Sequence, residues 1–293
     1  MKTTVIGLGL IGGSIALDLR RAGLTTELVG IDLNPGNASR AVELGLVDKI
    51  ENEGTAISTA DLIVLAIPVN ALSQLLPSVL DGIKKKAVVI DTGSTKRMIC
   101  RSIAQHPNRG QFVASHPIAG TENSGPEAAF EGLFRGKTNI ICEQEKSSKE
   151  ALAVANRVFT ELGLNTIFMD PEEHDKHVAY VSHLSHVSSF LLGQTVLDIE
   201  RDEKNIFALA GSGFASTVRL AKSSPDMWAP IFEQNAEFLS QALLEYIMHL
   251  QKFQYFLMKR DGKELQRIMK DANRIREILN GIEYKQTKQV QEK

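Results

Sequence analysis

Short apolar runs alternate with longer amphipathic stretches through the first half of the chain. Each run spans four to six residues, the length of a buried β-strand, and the stretches between most of them can hold a helix. The runs are Lys2–Ile6, Leu28–Ile31, Leu62–Ile67, Ala87–Ile90, Gln111–Ser115, Thr138–Cys142 and Asn165–Met169. This alternation predicts an α/β fold, a doubly wound and mostly parallel sheet with helices on both faces.

The pattern changes after Asp170-Pro171, where the strand-like runs end. The helices predicted beyond that point are Glu172–Glu200, Pro230–Met258 and Gly262–Leu279, with shorter helical pieces between the first two. We therefore predict two domains, an α/β domain over residues 1–170 and an all-helical domain over residues 171–293. Because a small helical domain cannot bury every long apolar face by itself, we expect a homodimer formed through this second domain.

A glycine turn follows the first apolar run. The residues after Ile6 are Gly7-Leu8-Gly9-Leu10-Ile11-Gly12, and Asp32 closes the next run twenty positions past Gly12. Strand, glycine turn, helix, strand and acid at this spacing are typical of a dinucleotide site, in which the helix N-terminus offers free N–H groups to a pyrophosphate. The alternative is a glycine-rich turn in an α/β protein that binds no dinucleotide.

Asp32 bears on which dinucleotide binds. A carboxylate here accepts hydrogen bonds from the adenosine ribose hydroxyls and repels a 2′-phosphate, and the next basic residue is Arg40. These features favour NAD over NADP, the alternative being an ordinary Asp that starts the turn at Asn34-Pro35-Gly36. The residues predicted to bind the cofactor are Gly7, Gly9, Leu10, Ile11, Gly12, Asp32, Pro68 and Ser94.

Two polar residues follow strand ends, where open α/β sheets bind their ligands. Ser94 comes after the run that ends at Ile90, and His116 directly follows the run that ends at Ser115. Removal of a hydride from a carbinol needs a base for the hydroxyl proton, and imidazole has a suitable pKa, so His116 is a candidate base. The alternatives are a His116 bonded to backbone and a Ser94 that caps a helix predicted from about Thr95.

In the second half of the chain, the spacing of ionisable side chains alone gives less information about their roles. His174 and His177 share a helix face, as do His183 and His186, but no third ligand is identifiable and we predict no metal site. Ordinary packed or exposed histidines are the alternative. Arg219 could hold a carboxylate through a bidentate fork, the alternative being a solvated side chain.

Charge and composition exclude several classes of function. The formal net charge of −2 gives no electrostatic reason to expect nucleic acid or an acidic membrane as a partner. The longest apolar stretch, Leu62–Leu76, is interrupted by Pro68 and two amides, so we expect no membrane span. Cys100 and Cys142 follow no disulfide or metal pattern, and the chain starts directly in a strand, which together favour the cytoplasm.

The motifs resemble those of the prephenate/arogenate dehydrogenase family. The stretches that carry the resemblance are Gly7–Ser14, Asp91–Lys96, Ser115–Glu122, Glu173–Asp175, Ser182–His186 and Arg219. They cover nearly the whole chain in the family's order, and Ser115–Glu122, which reads SHPIAGTE, is the most distinctive. The resemblance implies a Rossmann domain that binds NAD and a helical domain that completes the cleft and forms a dimer. The implied reaction is oxidative decarboxylation of prephenate, with arogenate as the alternative substrate.

The resemblance also implies roles for individual residues. His116 takes the substrate's hydroxyl proton, and Ser94 orients the groups beside it. The residues implied in substrate binding are Arg219 at a carboxylate, His186 in the pocket, and Glu122 and Asp175 in an ionic network at the cleft mouth. Many family members have a charged pair after Gly-Phe, where this chain has Ala215-Ser216, so one pair of charges that could orient Arg219 is missing.

Two other classes of function share part of this pattern. A β-hydroxyacid or imine-type dehydrogenase has the same two-domain plan but usually carries a catalytic Lys or Asp on the first long helix of its second domain. The corresponding helix here has no Lys between Lys176 and Lys204. The remaining alternative is a non-enzymatic protein that binds NAD and tolerates the loss of His116.

Overall fold

The computed structural model describes residues 1–203 and 205–281, which form two compact units. The first unit is Met1–Ala236, and the second begins at Glu237. The helices after residue 170 thus belong largely to the unit that contains the sheet, and the predicted boundary at 170 remains a prediction. The end of the predicted helical domain, residues 282–293, lies outside the described residues.

One eight-stranded sheet forms the centre of the first unit. Its strands are β1 Lys2–Ile6, β2 Glu27–Ile31, β3 Lys49–Ile50, β4 Leu62–Leu65, β5 Val88–Asp91, β6 Phe112–Pro117, β7 Thr138–Cys142 and β8 Asn165–Met169. Their order is β3-β2-β1-β4-β5-β6-β7-β8, with every pairing parallel except that of β6 with β7. The predicted doubly wound, mostly parallel sheet is confirmed.

The helices between and after the strands agree with the predicted pattern in type. They are α1 Leu10–Arg21, α2 Pro35–Glu43, α3 Glu53–Thr59, α4 Val69–Gly82, α5 Arg97–Ser102, α6 Lys149–Glu161, α7 Pro171–Val178, α8 Leu184–Glu200, α9 Ser212–Val218, α10 Pro225–Gln234, α11 Ala236–Met258 and α12 Gly262–Ala272. Residues described after Met169 contain no strand, as predicted. No helix of the described ranges is both long and apolar enough to cross a membrane.

The central strands of the sheet are buried on both faces, as continuous apolar strands require, whereas the edge strands β3 and β8 are largely exposed. One apolar cluster joins alternate residues of the central strands, such as Val64 and Ile90, to α1 and α6. A second cluster joins the opposite face, including Phe112 and Ala114, to α4, α5 and the tryptophan of α10. Each fully buried aliphatic or aromatic side chain contributes about 1.5–3 kcal/mol, so the two clusters fix the sheet between its helix layers.

Two of the predicted long helices are interrupted, and both interruptions have a structural cause. The helix predicted over 172–200 contains a π-helical segment, Ala179–His183, between α7 and α8. Such a segment inserts an extra residue into a helix and rotates the faces on either side. The helix predicted from Pro230 to Met258 breaks at Asn235, which separates α10 from α11. Asn235 is fully buried, and its amide makes hydrogen bonds that a continuous helix pattern does not reveal.

Register brings the ends of the central strands to one edge of the sheet. Ile6 at the end of β1 is opposite Ile31 and Leu65, and Leu65 is opposite Asp91. The strand order reverses between β1 and β4, where an open α/β sheet forms its ligand crevice. The glycine turn, the exposed Pro68 and the segment that contains Ser94 therefore begin at the same edge.

Candidate active site

The glycine turn has the close packing that a dinucleotide loop requires. Gly7 has a φ of +94°, and a Cβ there would stand 2.3 Å from the carbonyl oxygen of Ala66. A Cβ on Gly12 would stand 2.0 Å from the carbonyl oxygen of Gly7. Both positions therefore exclude any larger residue, which explains how β1 can turn so tightly into α1.

Gly9 is different, because its open side is not filled by the protein. The nearest atom to a Cβ built there is the amide nitrogen of Gly125, at 4.0 Å. Packing of the described chain does not require glycine at this position, whereas close approach of a pyrophosphate does. Gly9 is also the N-cap of α1, and no side chain of the described residues caps that helix end, so the first amides are left for an anion.

Asp32 is held in place by two backbone amides. Its Oδ2 accepts a hydrogen bond from Leu8 N at 2.9 Å, and its Oδ1 accepts one from Asn34 N at 2.9 Å. The carboxylate is thus fixed beside the glycine turn, and each oxygen keeps a lone pair for a ribose hydroxyl. The ribose-binding role and the turn-starting role of Asp32 are therefore compatible, since Asp32 starts the turn at Asn34 and also lies beside the predicted cofactor site.

The segment after β6 runs along α1 and passes the glycine turn. Ser14 Oγ accepts a hydrogen bond from Phe130 N at 3.0 Å, and Asp18 Oδ1 accepts one from Gly132 N at 3.0 Å. Glu127 forms an ion pair with Arg40 of α2, with 3.0 Å between Oε1 and Nε. Arg40, the first basic residue after Asp32, is therefore already engaged by a carboxylate.

His116 is hydrogen-bonded to a second histidine. Its Nδ1 lies 2.8 Å from Nε2 of His174, and Nδ1 of His174 lies 2.7 Å from Oδ1 of Asp175. His174 and Asp175 are completely buried, whereas His116 is half-buried at the end of β6. Alternation along the strand places His116 on the face of Ala114, toward α10.

The pKa values of both histidines are low. Burial, together with the positive charges that His174 and Lys96 can carry, holds the pKa of His116 well below its usual value of 6.5. Burial also lowers the pKa of His174, although its hydrogen bond to Asp175 acts in the opposite direction. Both rings are therefore neutral near pH 7, the state in which an imidazole can accept a proton.

Asp175 does not lie at a cleft mouth, and this corrects the role implied by the resemblance. Its side chain is 1% exposed, and it accepts hydrogen bonds from Lys96 N at 2.7 Å and from Arg97 N at 2.9 Å. It therefore satisfies the first amides of α5 from a distant part of the chain. The alternative in which Ser94 caps this helix is wrong, because the helix begins at Arg97 with Lys96 as its N-cap.

A buried ion pair between Lys96 and Asp91 lies in the segments that carry Ser94 and His116. Lys96 Nζ donates to Asp91 Oδ2, and both side chains are completely buried. The other oxygen of Asp91 accepts a hydrogen bond from Ser115 N at 2.8 Å, which ties the end of β5 to β6. Ser94 itself is half-buried in the segment between Asp91 and α5. The pair thus fixes the backbone from which both predicted catalytic side chains project.

Three of the four predicted substrate-binding residues, Arg219, Glu122 and His186, lie near one another. Arg219 Nη1 lies 3.2 Å from Glu122 Oε2, with 54% of the arginine side chain exposed. His186 is half-buried and stacks on Trp228, with ring centroids 3.5 Å apart and an interplanar angle of 26°. Burial lowers the pKa of His186, and the charge of Arg219 acts in the same direction, so these two side chains are electrostatic neighbours.

The hydrogen bonds of His186 and Arg219 determine which of their atoms can bind a ligand. Nδ1 of His186 lies 3.0 Å from the carbonyl oxygen of Ser182, which can only accept, so Nδ1 donates and Nε2 is the nitrogen that can accept a hydrogen bond from a ligand. The guanidinium of Arg219 shares one nitrogen with Glu122 and has further donors. Glu122 thus supplies a charged partner for Arg219 where the chain has Ala215-Ser216 in place of a charged pair.

Two family models together match most of this chain. One is described as prephenate dehydrogenase, nucleotide-binding domain, and matches residues 15–168. The other is described as prephenate dehydrogenase, dimerization domain, and matches residues 170–271. The chain belongs to the prephenate dehydrogenase family. Membership confirms the resemblance drawn from the motifs and decides against a β-hydroxyacid or imine-type dehydrogenase.

Individual relatives agree with the family models. A prephenate dehydrogenase of Bacillus subtilis is 32% identical over 289 residues, which cover 95% of this chain and 76% of the relative. A cyclohexadienyl dehydrogenase of Zymomonas mobilis is 31% identical and covers 94% of each chain. The solved structure of prephenate dehydrogenase from A. aeolicus, in complex with hydroxyphenyl propionate and NAD+, has a TM-score of 0.87 and 31% identity over 95% of this chain and 98% of that one.

The sequence patterns do not indicate every residue of the site. An ordinary packed or exposed histidine is one alternative for His174, and the spacing of the motifs gives neither Lys96 nor Asp91 a role. The signal for Asp91 and Lys96 is a pair of opposite charges at and just after the end of an apolar strand, because charges that are buried there need partners. No sequence signal links His174 to His116, since the pairing joins positions 58 apart.

Proposed function

We propose that this chain catalyses the NAD-dependent oxidative decarboxylation of prephenate to 4-hydroxyphenylpyruvate and carbon dioxide, a step of tyrosine biosynthesis. The observation that carries the proposal is the half-buried, neutral imidazole of His116 at the same sheet edge as the dinucleotide turn. Family membership supports the reaction class, and the exposed guanidinium of Arg219 supports an anionic substrate.

The cofactor is NAD, and the site residues fit it. NAD⁺ supplies the hydride acceptor when it is bound. We propose that the free amides at the start of α1, at Leu10 and Ile11, bind the pyrophosphate in the space that Gly9 leaves open. Asp32 would bind the adenosine ribose, and the exposed Pro68 would line the crevice at the end of β4.

His116 and Ser94 perform the proton chemistry in this proposal. His116 accepts the proton of the substrate hydroxyl while a hydride leaves the carbon that bears it. The bond to the ring carboxylate then breaks, its electron pair enters the ring, and carbon dioxide departs. The resulting aromatic oxygen takes a proton back and becomes a phenol. Ser94 orients the hydroxyl beside His116, and a positioned base of this kind contributes about 10²–10⁴-fold in rate.

Arg219 and His186 bind the substrate in this proposal. A charge-assisted hydrogen bond from Arg219 to a substrate carboxylate would contribute about 1.5–3 kcal/mol. His186 presents Nε2 to the pocket from its position on Trp228. Glu122 holds the guanidinium of Arg219 at the edge of the site before the substrate arrives.

We also propose a homodimer formed through the helical region. The matching family model over residues 170–271 is described as a dimerization domain. Large apolar side chains are exposed along α8 and α11, and a second copy of the chain would cover some of them. The compartment we propose is the cytoplasm, whose reducing conditions suit the free and buried Cys100 and Cys142.

Turnover of purified protein tests the proposed reaction. We expect NADH to form with prephenate and NAD⁺, together with equal amounts of 4-hydroxyphenylpyruvate and carbon dioxide. Arogenate, which has an amine where prephenate has a ketone, serves as the comparison substrate and should react with lower kcat/KM. If neither compound is oxidised with NAD⁺ or NADP⁺, the proposed function is wrong.

A further inference from the structure

We propose that His174 is a positioning residue that fixes the tautomer of His116, so that Nε2 is the atom of His116 that accepts the substrate proton. The inference rests on the function proposed above. It also rests on a chain of three side chains, Asp175, His174 and His116, joined by contacts of 2.7 and 2.8 Å. The donor in each contact can be assigned from the chemistry of the groups.

Asp175 is the fixed end of this chain. A carboxylate only accepts hydrogen bonds, and Asp175 already accepts one from Lys96 N and one from Arg97 N. These two amides at the start of α5 hold both of its oxygens in position. The contact between Asp175 Oδ1 and His174 Nδ1 therefore has the hydrogen on Nδ1 of His174.

The hydrogen on Nδ1 of His174 determines which nitrogen of His116 carries a hydrogen. The ring is completely buried, and a neutral imidazole with hydrogen on Nδ1 has a lone pair on Nε2. Nε2 lies 2.8 Å from Nδ1 of His116, so His116 donates through Nδ1. A neutral His116 with hydrogen on Nδ1 has its lone pair on Nε2, the nitrogen that points away from His174.

The same hydrogen bonds also stabilise the imidazolium that His116 becomes after it has taken a proton. Nδ1 keeps its hydrogen bond to His174, the new hydrogen is on Nε2, and the carboxylate of Asp175 lies one ring further away. Orientation of a base by a third group is a general feature of catalytic triads, and a wrong tautomer there costs about 10⁴-fold in kcat. Here the third group is an imidazole, and the carboxylate acts through it.

Nitrogen NMR of the wild-type protein tests the tautomer without reference to activity. In protein with ¹⁵N-labelled histidine at pH 7.5, we expect a pyrrole-type Nδ1 and a pyridine-type Nε2 for His116, assigned by the loss of its signals in His116→Gln. A pyrrole-type Nε2 on His116 in the wild type would overturn the proposal. This result would leave the proposed reaction intact, because the two measurements are independent.

Variants of His174 test the consequence for catalysis. His174→Leu removes the acceptor, so we expect kcat on prephenate to fall on the order of 10²–10⁴-fold while KM stays within about threefold. The signal of His116 should then show a mixture of tautomers. His174→Gln has an amide oxygen that can accept from Nδ1, and we expect it to restore most of kcat and the pyridine-type Nε2.

A matched control separates positioning from damage to α7. His177 is exposed on the same helix, and His177→Leu makes the same chemical change there. We expect it to leave kcat, KM and the tautomer of His116 unchanged. The proposal is wrong if His174→Leu is folded by circular dichroism and keeps the wild-type kcat. It is also wrong if His174→Gln loses as much kcat as His174→Leu while His116 keeps its wild-type tautomer in both variants. If His174→Leu does not fold, the wild-type NMR measurement still decides.

Discussion

Glu122 and Arg219 form an ion pair across 97 positions of sequence, with 3.2 Å between Oε2 and Nη1. A hydrogen bond from the backbone amide of Glu122 itself, together with the guanidinium of Arg219, holds the pKa of this carboxyl below its usual value. The pair joins the segment after β6 to the helical part of the same unit. A substrate carboxylate that binds Arg219 must therefore share the guanidinium with Glu122 or displace it.

Replacement of Arg219 should weaken substrate binding more than catalysis. In Arg219→Gln a charge-assisted hydrogen bond worth about 1.5–3 kcal/mol is lost, so we expect KM for prephenate to rise about 10- to 150-fold with kcat within a few-fold of wild type. Steady-state kinetics at saturating NAD⁺ measures both constants. Arg201→Gln, at an exposed arginine paired with Asp198, is the matched control. An unchanged KM would mean that Arg219 is only a solvated surface residue.

Replacement of Asp32 should relax the choice of cofactor. Asp32→Asn keeps one oxygen for the backbone amides but removes the charge that repels a 2′-phosphate. We expect the ratio of kcat/KM for NADP⁺ to that for NAD⁺ to rise about tenfold or more, which corresponds to roughly 1.4 kcal/mol. Asp48→Asn, at an acid that accepts a hydrogen bond from Leu28 N, should leave the ratio unchanged. An equal ratio in wild type and Asp32→Asn would argue against a ribose contact.

The free energy of unfolding should decrease as the pH is lowered through a range set by a buried histidine. Burial lowers the pKa of His183 from 6.5 to about 4, with His174 and His186 acting in the same direction and Asp175 opposing them. Between these values the unfolded chain binds a proton that the folded chain does not, so stability is complete above pH 6.5 and is lost toward pH 4.

Urea unfolding at pH 7 and pH 4 measures this loss. The shift from 6.5 to about 4 corresponds to about 3 kcal/mol, so His183→Gln should lose roughly that much less than wild type between the two pH values. Other buried histidines keep part of the wild-type dependence. His177→Gln, at an exposed position, should retain the full loss. Equal losses in wild type and His183→Gln would show that the buried ring does not contribute.

The proposed dimer can be tested on α11. Leu244 and Met248 are both 60% exposed and lie four residues apart, on one side of the helix. We expect wild type to have the mass of a dimer in light scattering, and Leu244→Glu combined with Met248→Glu to shift it toward a monomer. Gln251→Glu with Gln254→Glu adds the same charge at polar positions of the helix and should not. A monomeric wild type at micromolar concentration would contradict the proposal.

The sequence was most informative where a local pattern has one physical cause. Apolar runs located seven of the eight strands, because most of these strands are buried on both faces and therefore have to be apolar throughout. The two-residue β3 has no such pattern. The glycine turn and Asp32 are local as well, since their spacing is set by one strand–helix–strand unit, β1, α1 and β2. Ser94 and His116 could be found because active sites lie beyond strand ends.

The sequence was least informative where distant side chains meet. The hydrogen-bonded chain from Asp175 through His174 to His116 depends on α7 packing against α5, because Asp175 accepts from backbone amides at the start of α5 that lie 78 and 79 positions away. The break at Asn235 also depends on distant partners, because its amide donates to the carbonyl oxygen of Asp175 and to His183. Apolar periodicity on both sides of Asn235 favours one helix, and tertiary hydrogen bonds override it.

The most direct test of the account is the rate of hydride transfer from prephenate in wild type and in His116→Asn. Substrate deuterated at the carbon that bears the hydroxyl shows through its isotope effect whether this step limits kcat. We predict that kcat of His116→Asn is lower on the order of 10²–10⁴-fold, with KM within a few-fold of wild type. An unchanged kcat, with a full isotope effect on it, would contradict the assignment of His116 as the base.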